Sequence, residues 1–192
     1  MSGTITKVRS DKTGIIKQCD IFRNVEFIEY AVENKSSIEV SKIIFPNAIV
    51  LTQACDLQQD YNARKRIEDG GNQDKILISV IVAPLYNFEE FRIGTHLDQL
   101  DMEMQNHGKR GRSKCDNIMK NETKRYHYLK FADGIPLVES VIDFKHYFTV
   151  TVNYLTQIYD SNYVCSIDSL YREQISQRFS NFLARIGLPD PE

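Results

Sequence analysis

The stretch Thr52-Gln53-Ala54-Cys55-Asp56 puts a carboxamide, a thiol and a carboxylate directly after an apolar run. A cysteine in that place acts as a nucleophile when an imidazole, here His127 or His146, lies beside it to take its proton. Without such a neighbour, Cys55 reads as a small buried apolar residue and Asp56 as the cap of the following turn. A second set is Asp133, Glu139 and Asp143-Phe144-Lys145. Converging carboxylates can hold Mg²⁺ while a lysine polarises the attacking water, as a metal-dependent nuclease requires. The competing reading places Asp143 and Lys145 on the solvent side of a strand, between Val141-Ile142 and Phe144. The four histidines (His96, His107, His127, His146) and four cysteines (Cys19, Cys55, Cys115, Cys165) show no zinc spacing. Neither a phosphate-binding glycine loop nor Gly-x-Ser-x-Gly occurs. No metal and no cofactor are therefore expected.

The third set is a block of charge. Between 109 and 125 stand seven cations (Lys109, Arg110, Arg112, Lys114, Lys120, Lys124, Arg125) and two acids (Asp116, Glu122). The block is +5 in a chain whose total is −2, so the remainder is −7. Each Lys or Arg laid on a phosphate releases condensed counterions, and segregated charge of this kind is what a nucleic-acid-binding arm needs. Gly108 and Gly111 would let the arm follow a backbone, and Tyr126 and Tyr128 would offer rings for stacking. The expected contacts are Lys109, Arg110, Arg112, Lys114, Lys124 and Arg125. A solvated loop, or a docking patch for an acidic protein, is the other reading.

Elements around these groups must position them. Strand patterns fill 1–86: Ile15-Ile16 after Thr13-Gly14, then 25–30, 38–40, and 43–45 stopping at Pro46. Two continuous β-branched runs, 48–51 and 76–82, have the character of strands buried on both faces, the second ended by Pro84. Phe88, Phe91, Leu97, Leu100 and Met104 recur at helical intervals, followed by a loop over 108–114. Strands resume at 126–131, 141–144 and 148–152, with Phe148, Val150 and Val152 facing one way. Leu170, Ile175, Phe179, Phe182, Leu183 and Ile186 form the stripe of a closing helix, started by Asp168 or Ser169 and stopped by Gly187-Leu188-Pro189. The expected architecture is one α+β domain over 1–192. Barrel strands occupy 1–86 and 126–155, a helical, basic insertion 87–125, and a C-terminal amphipathic helix 168–187. The barrel or that helix could also dock a protein subunit.

Composition bounds the rest. Of 192 residues 42% are hydrophobic, with ten Phe and ten Tyr, which is enough apolar surface to build a core and exclude disorder. The longest apolar run, 76–83, already contains Ser79, and a membrane span needs about 20 residues. No signal-peptide core stands in the first ten residues and the cysteines are widely spread, so a soluble, cytoplasmic chain with reduced thiols is expected.

The order of strands resembles the PemK/MazF-like, SH3-like barrel family of toxin-antitoxin ribonucleases. Thr13-Gly14-Ile15-Ile16 stands for its opening strand, and Phe45-Pro46-Asn47-Ala48-Ile49-Val50-Leu51-Thr52 for its proline landmark. Val80-Ile81-Val82-Ala83-Pro84-Leu85-Tyr86 and Glu139-Ser140-Val141-Ile142 stand for its later strands. About half the chain is covered. The resemblance implies a curled, SH3-like barrel. It also implies catalysis by an arginine where this chain has Phe45, and by a small hydroxyl residue where it has Leu85-Tyr86. A non-catalytic, nucleic-acid-binding or accessory subunit of a toxin-antitoxin or anti-phage system is thus expected. The alternatives are a nuclease using other residues and a Cys55-dependent enzyme.

Overall fold

The computed structural model describes residues 5–35, 37–67, 69–108 and 112–185, with 112–114 as backbone only. Its framework is a long hairpin, in which β3 (Asp20–Asn34) and β4 (Ser37–Val50) pair antiparallel from Ile21↔Ile49 to Asn34↔Ser37. Pro46 does not end the strand as expected. Asn24, the residue opposite it, drops out of the ladder with φ +49, so no donor is required of the proline. Beyond Phe27 and Ile43 the hairpin becomes an arm that leaves the body, and Ile28, Tyr30, Val32, Ile38 and Val40 on it are exposed.

β5 (Val80–Asn87) lies along β4 from Ala48↔Pro84 to Val50↔Val82. It starts later than the apolar run suggests, Ile78 being 91% exposed, and it runs through Pro84 instead of stopping there. The second edge of β5 pairs β8 (Phe148–Val150) over 80–82 and β7 (Ser140–Asp143) over 85–87. Pro84 falls in the changeover between those two ladders, where continuous pairing is already interrupted. β6 (Tyr126–Phe131) pairs β7, and β9 (Tyr163–Ile167) pairs the base of β3. Two short strands complete the sheet: β1 (Ile5–Thr6), parallel to β6, and β2 (Val8–Arg9), antiparallel to β9.

The order among the described residues is β1-β6-β7-β5-β4-β3-β9-β2, with β8 on β5. The fold is therefore mixed α+β on one large sheet that no ladder closes. Its first and last strands are nevertheless separated along the chain by Lys7 alone. That link ties the two ends of the strand order together.

Central strands are buried on both faces, as 48–51 suggests. Ile49, Ala83 and Leu85 point into a core completed by Ile175, Phe179 and Phe182 of α5 (Ser169–Leu183). Ala48, Val50 and Val82 point the other way, onto Leu57 of α1 (Ala54–Lys65) and Leu155 and Tyr159 of α4 (Val152–Asn162). A third cluster joins Tyr86, Tyr126, Tyr128 and Val141 to Phe88 and Phe91 of α2 (Phe88–Ile93) and Ile118 of α3 (Arg112–Met119).

Four elements depart from the sequence expectation, and the strand expected at Ile15-Ile16 does not form, that segment being an irregular stretch before β3. α1 lies where strands were expected up to 86. Only Leu57 and Asp60 of it are buried, too few to show a helical stripe. α4 and β9 replace a strand ending at 152 and a loop; Val152, Leu155 and Tyr159 do carry helical spacing, over too short a span to stand out. α3 begins at Arg112, inside the stretch read as a loop. The closing helix ends at Leu183 with Ala184 as its C-cap, short of the stop expected at Gly187-Leu188-Pro189, residues that lie outside the described ones together with Ile186. Asp168 occupies the N-cap position of α5, but its carboxylate serves Ser169 Oγ (3.2 Å) and Arg9 (3.6 Å) instead of a backbone cap. No helix among the described residues is long and apolar enough to cross a membrane.

The inner face of α5 is structural and its outer apolar residues are not: Ile175 is fully buried, while Leu170 is 76% exposed. Ile175→Ala should cost about 3 kcal/mol through lost transfer energy and a residual cavity. Leu170→Ala should stay within about 0.5 kcal/mol. Urea unfolding of both variants checks the contrast.

Candidate functional site

Arg125 and Asp143, assigned by sequence to different roles, meet. β7 ends at Asp143, whose side chain is fully buried and accepts the Lys145 backbone N–H (3.0 Å), capping the 3₁₀ turn Phe144–His146. Arg125, just before β6, places Nε 2.8 Å from Oδ1 and one Nη 2.5 Å from Oδ2 of the same carboxylate. This bidentate fork satisfies a buried charge that would otherwise be very costly. It also leaves the other Nη of Arg125, whose side chain is 32% exposed, for the outside. The capped turn carries His146 back over the pair, with Nδ1 3.6 Å from Asp143 Oδ2 and 3.0 Å from the hydroxyl of Tyr86 on β5. His96, from the turn after α2, stands edge-on to the Tyr86 ring at 4.6 Å, and neither of its ring nitrogens, both buried, has a hydrogen-bond partner among the described residues.

Burial lowers His96 to about 4, with His146 the next cause, and burial lowers His146 as well. Burial thus favours the neutral form of both imidazoles. Burial and the Asp143 charge push the Tyr86 phenol upward, which keeps it a protonated donor. The result is a partly open constellation of two imidazoles, a phenol and a guanidinium.

The segment leading into it is clamped from α5. Arg178 donates to the carbonyls of Asn121, Thr123 (2.8 Å) and Tyr126 (2.8 Å). The Asn121 side chain exchanges two bonds with the backbone of Tyr128, at 2.6 and 3.1 Å. Lys120 and Lys124 are exposed on this clamped turn.

The remaining sequence candidates are placed elsewhere. Cys55 is exposed on α1, which corrects the buried reading; its Sγ lies 3.5 Å from Asp56 Oδ1. Asp56 lies within the first turn of that helix, and Gln53 is its N-cap. The partner of the thiol is thus a carboxylate and not an imidazole. His127 is buried on β6 against Phe144, and His146 is engaged by Tyr86, so neither forms the dyad that a Cys55 nucleophile requires. The buried cysteines are Cys19 and Cys165, burial pushing the latter up to about 12. Asp133 sits exposed in a turn, Glu139 pairs Lys130 (3.1 Å), and the Lys145 side chain is exposed. No group of three His, Cys, Asp or Glu among the described residues could hold a metal ion. Asp143, expected on the solvent side, is buried because Arg125 reaches in to pair it.

Within the basic block, Lys109 and Arg110 lie outside the described residues, and Arg112 and Lys114 belong to α3 without described side chains. Tyr126 and Tyr128 do not offer stacking faces: both are buried in the third core cluster, Tyr128 edge-on to Phe88 at 4.9 Å. Tyr86 and His96 are the members that sequence reasoning missed. Tyr86 falls at the position singled out for lacking a small hydroxyl residue, and a phenol there was the available signal. Nothing local marks His96.

His127 makes acid sensitivity measurable. Burial holds it at about 3, below its ordinary value of 6.5. As pH falls below 6.5 the unfolded chain takes up a proton that the folded chain refuses until about 3, so stability drops across that window. Relative to His127→Leu, the native chain should lose about 1 kcal/mol per pH unit between pH 6 and pH 4. Urea titrations of both proteins at several pH values test it; parallel profiles would show that His127 is solvated. No protein-family model, no curated protein and no solved structure matches this chain.

Proposed function

We propose that the chain is a nucleic-acid-binding protein of the SH3-like, PemK/MazF-like kind, serving as an accessory subunit of a toxin-antitoxin or anti-phage system in the bacterial cytoplasm. The observation that carries the reading is the +5 block at 109–125, whose described part forms α3 and the clamped turn bearing Lys120 and Lys124. It leads straight into Arg125 and the partly open Asp143–His146 turn. Charge held on a rigid turn loses less conformational entropy on meeting a phosphate backbone than charge on a free loop. In support of the barrel likeness, three of the four segments that resemble the family's landmarks lie on neighbouring strands, whereas Thr13–Ile16 is in no strand. Ala48–Val50 pairs with 82–84, and 85–87 with 140–142.

The salt dependence of binding to a labelled single-stranded RNA is the direct test. Lys120→Glu with Lys124→Glu should weaken binding at least about tenfold in low salt and flatten the slope of log K against log[salt] by about 1.4. Unchanged affinity and slope in that variant would overturn the reading.

A second reading, RNA cleavage without a metal, is favoured by the two imidazoles beside a phenol and a guanidinium. One imidazole would take the 2′-hydroxyl proton as that oxygen attacks the adjacent phosphorus. The Tyr86 hydroxyl would protonate the leaving 5′-oxygen and recover its proton from the imidazolium formed, and Arg125 would stabilise the charge on the phosphorane. Cleavage should then persist in EDTA and fall by about 100-fold in His146→Ala. No cleavage by the native chain, or cleavage abolished by EDTA, would remove this reading.

A further inference from the structure

On the opposite side of the chain's chemistry, between β2, β3, β9, α1 and α4, lies a cavity of about 290 Å³. No residue of the Arg125–Asp143–His146 constellation lines it. Asp20 does, at the base of β3, and it is 1% exposed. One carboxylate oxygen, Oδ2, accepts the Lys17 backbone N–H at 2.7 Å; the other, Oδ1, is buried without a partner in good hydrogen-bond geometry, while the nearby Ser166 side chain favours the ionised form against a burial that raises the carboxyl to about 7. The turn that presents it is tightly held. Cys19 adopts φ +63, donates its N–H to Val50 O (2.8 Å) and accepts from Ile167 N (3.1 Å). A left-handed, non-glycine residue fixed from two sides is local strain, and here it aims a carboxylate at a cavity.

Flat and apolar groups form the walls. Tyr159 and Tyr163 stack on one another at 4.9 Å, and Ile16 and Leu57 line the cavity with them. The Tyr159 hydroxyl accepts from Thr13 N (3.3 Å) and the Tyr163 hydroxyl donates to Asp11 O (3.4 Å), pinning the 11–13 segment as a rim. Three cations also line the cavity: Arg9, Lys17 and Arg172, against the acids Asp11 and Asp20. Arg9 pairs Asp168 (3.6 Å) and Arg172 pairs Glu173 (3.0 Å).

A lining that combines a buried acceptor, aromatic and apolar walls and cations calls for a ligand with N–H donors, a flat ring system and an anion. We propose that this cavity binds a guanine nucleotide, its N–H donor edge on Asp20 and its phosphate at Lys17 and Arg172. Guanine is the base that turns adjacent ring and exocyclic N–H donors towards a carboxylate, whereas adenine sets a ring acceptor beside its amino group. The volume lies at the small end of ligand sites and suits a single nucleotide. The same chemistry is offered by a free nucleotide and by a guanosine at an RNA end.

Isothermal titration of the full chain with GMP, AMP, guanosine and inorganic phosphate tests the proposal. GMP should bind, with AMP at least about tenfold weaker. Asp20→Asn should weaken GMP by about tenfold or more. Arg172→Ala should weaken GMP several-fold and leave guanosine unchanged, and this contrast decides the matter should Asp20→Asn fail to fold. A trinucleotide ending in 5′-phosphoguanosine that binds more tightly than GMP identifies the RNA end as the source; a weaker one identifies the free nucleotide. No GMP binding, equal AMP binding, or full binding by folded Asp20→Asn overturns the proposal. The Lys120→Glu, Lys124→Glu variant should bind GMP normally, so failure of the RNA surface and failure of this cavity are separate results.

Discussion

Both ends of the sheet terminate on the same five residues. Ile5-Thr6 adds to the edge of β6, Val8-Arg9 adds to the edge of β9, and Lys7 is the whole of the connection. The Lys7 carbonyl accepts the Asp168 N–H at 2.9 Å, so the same junction also fixes where α5 begins. A sheet of this many strands twists in any case. Here a link one residue long joins the first and last strands of the strand order and, through the Lys7 carbonyl, the start of α5. Loss of that junction would free two edges and the helix start together.

The seat of α5 has a consequence for chemistry. With its inner face packed on the sheet, Arg178 reaches to three backbone carbonyls of the 121–126 turn. The turn in turn places Arg125 over Asp143. One helix thus does two things: Ile175, Phe179 and Phe182 fill the core, and a cation on the same helix positions the basic turn. The buried Asp143–Arg125 pair is not evidence of stability in itself, because desolvation offsets much of its attraction. Its effect is to orient, holding one guanidinium edge inward and the other outward beside His146.

The two candidate sites divide the molecule by polarity. The Arg125–Asp143–His146–Tyr86 constellation grows from β5 and β7 where the sheet passes to the third core cluster, with a basic approach. The Asp20 cavity grows from the other end of the sheet, where β3 and β9 meet α1 and α4. The outer half of the β3–β4 hairpin belongs to neither. It exposes aliphatic residues on a two-stranded ribbon, a form with little stability of its own in water.

Residue patterns alone disclosed the α+β class, the doubly buried strand at 48–51, the inward stripe of α5 and the isolated basic block. Each is a local property, read from β-branched runs, helical spacing or a charge count over a few residues. They could not disclose α1, because a helix that buries only Leu57 and Asp60 leaves no stripe. Nor could they disclose that strands run through Pro46 and Pro84, since that depends on the pairing gap opposite Asn24 and on the change of ladder along β5. Tertiary structure alone decided that Cys55 is exposed, that Tyr126 and Tyr128 are core, and that Arg125, Asp143, His146, Tyr86 and His96 share one place. Proximity between residues tens of positions apart is set by strand pairing and by helix packing on the sheet, which no local spacing encodes.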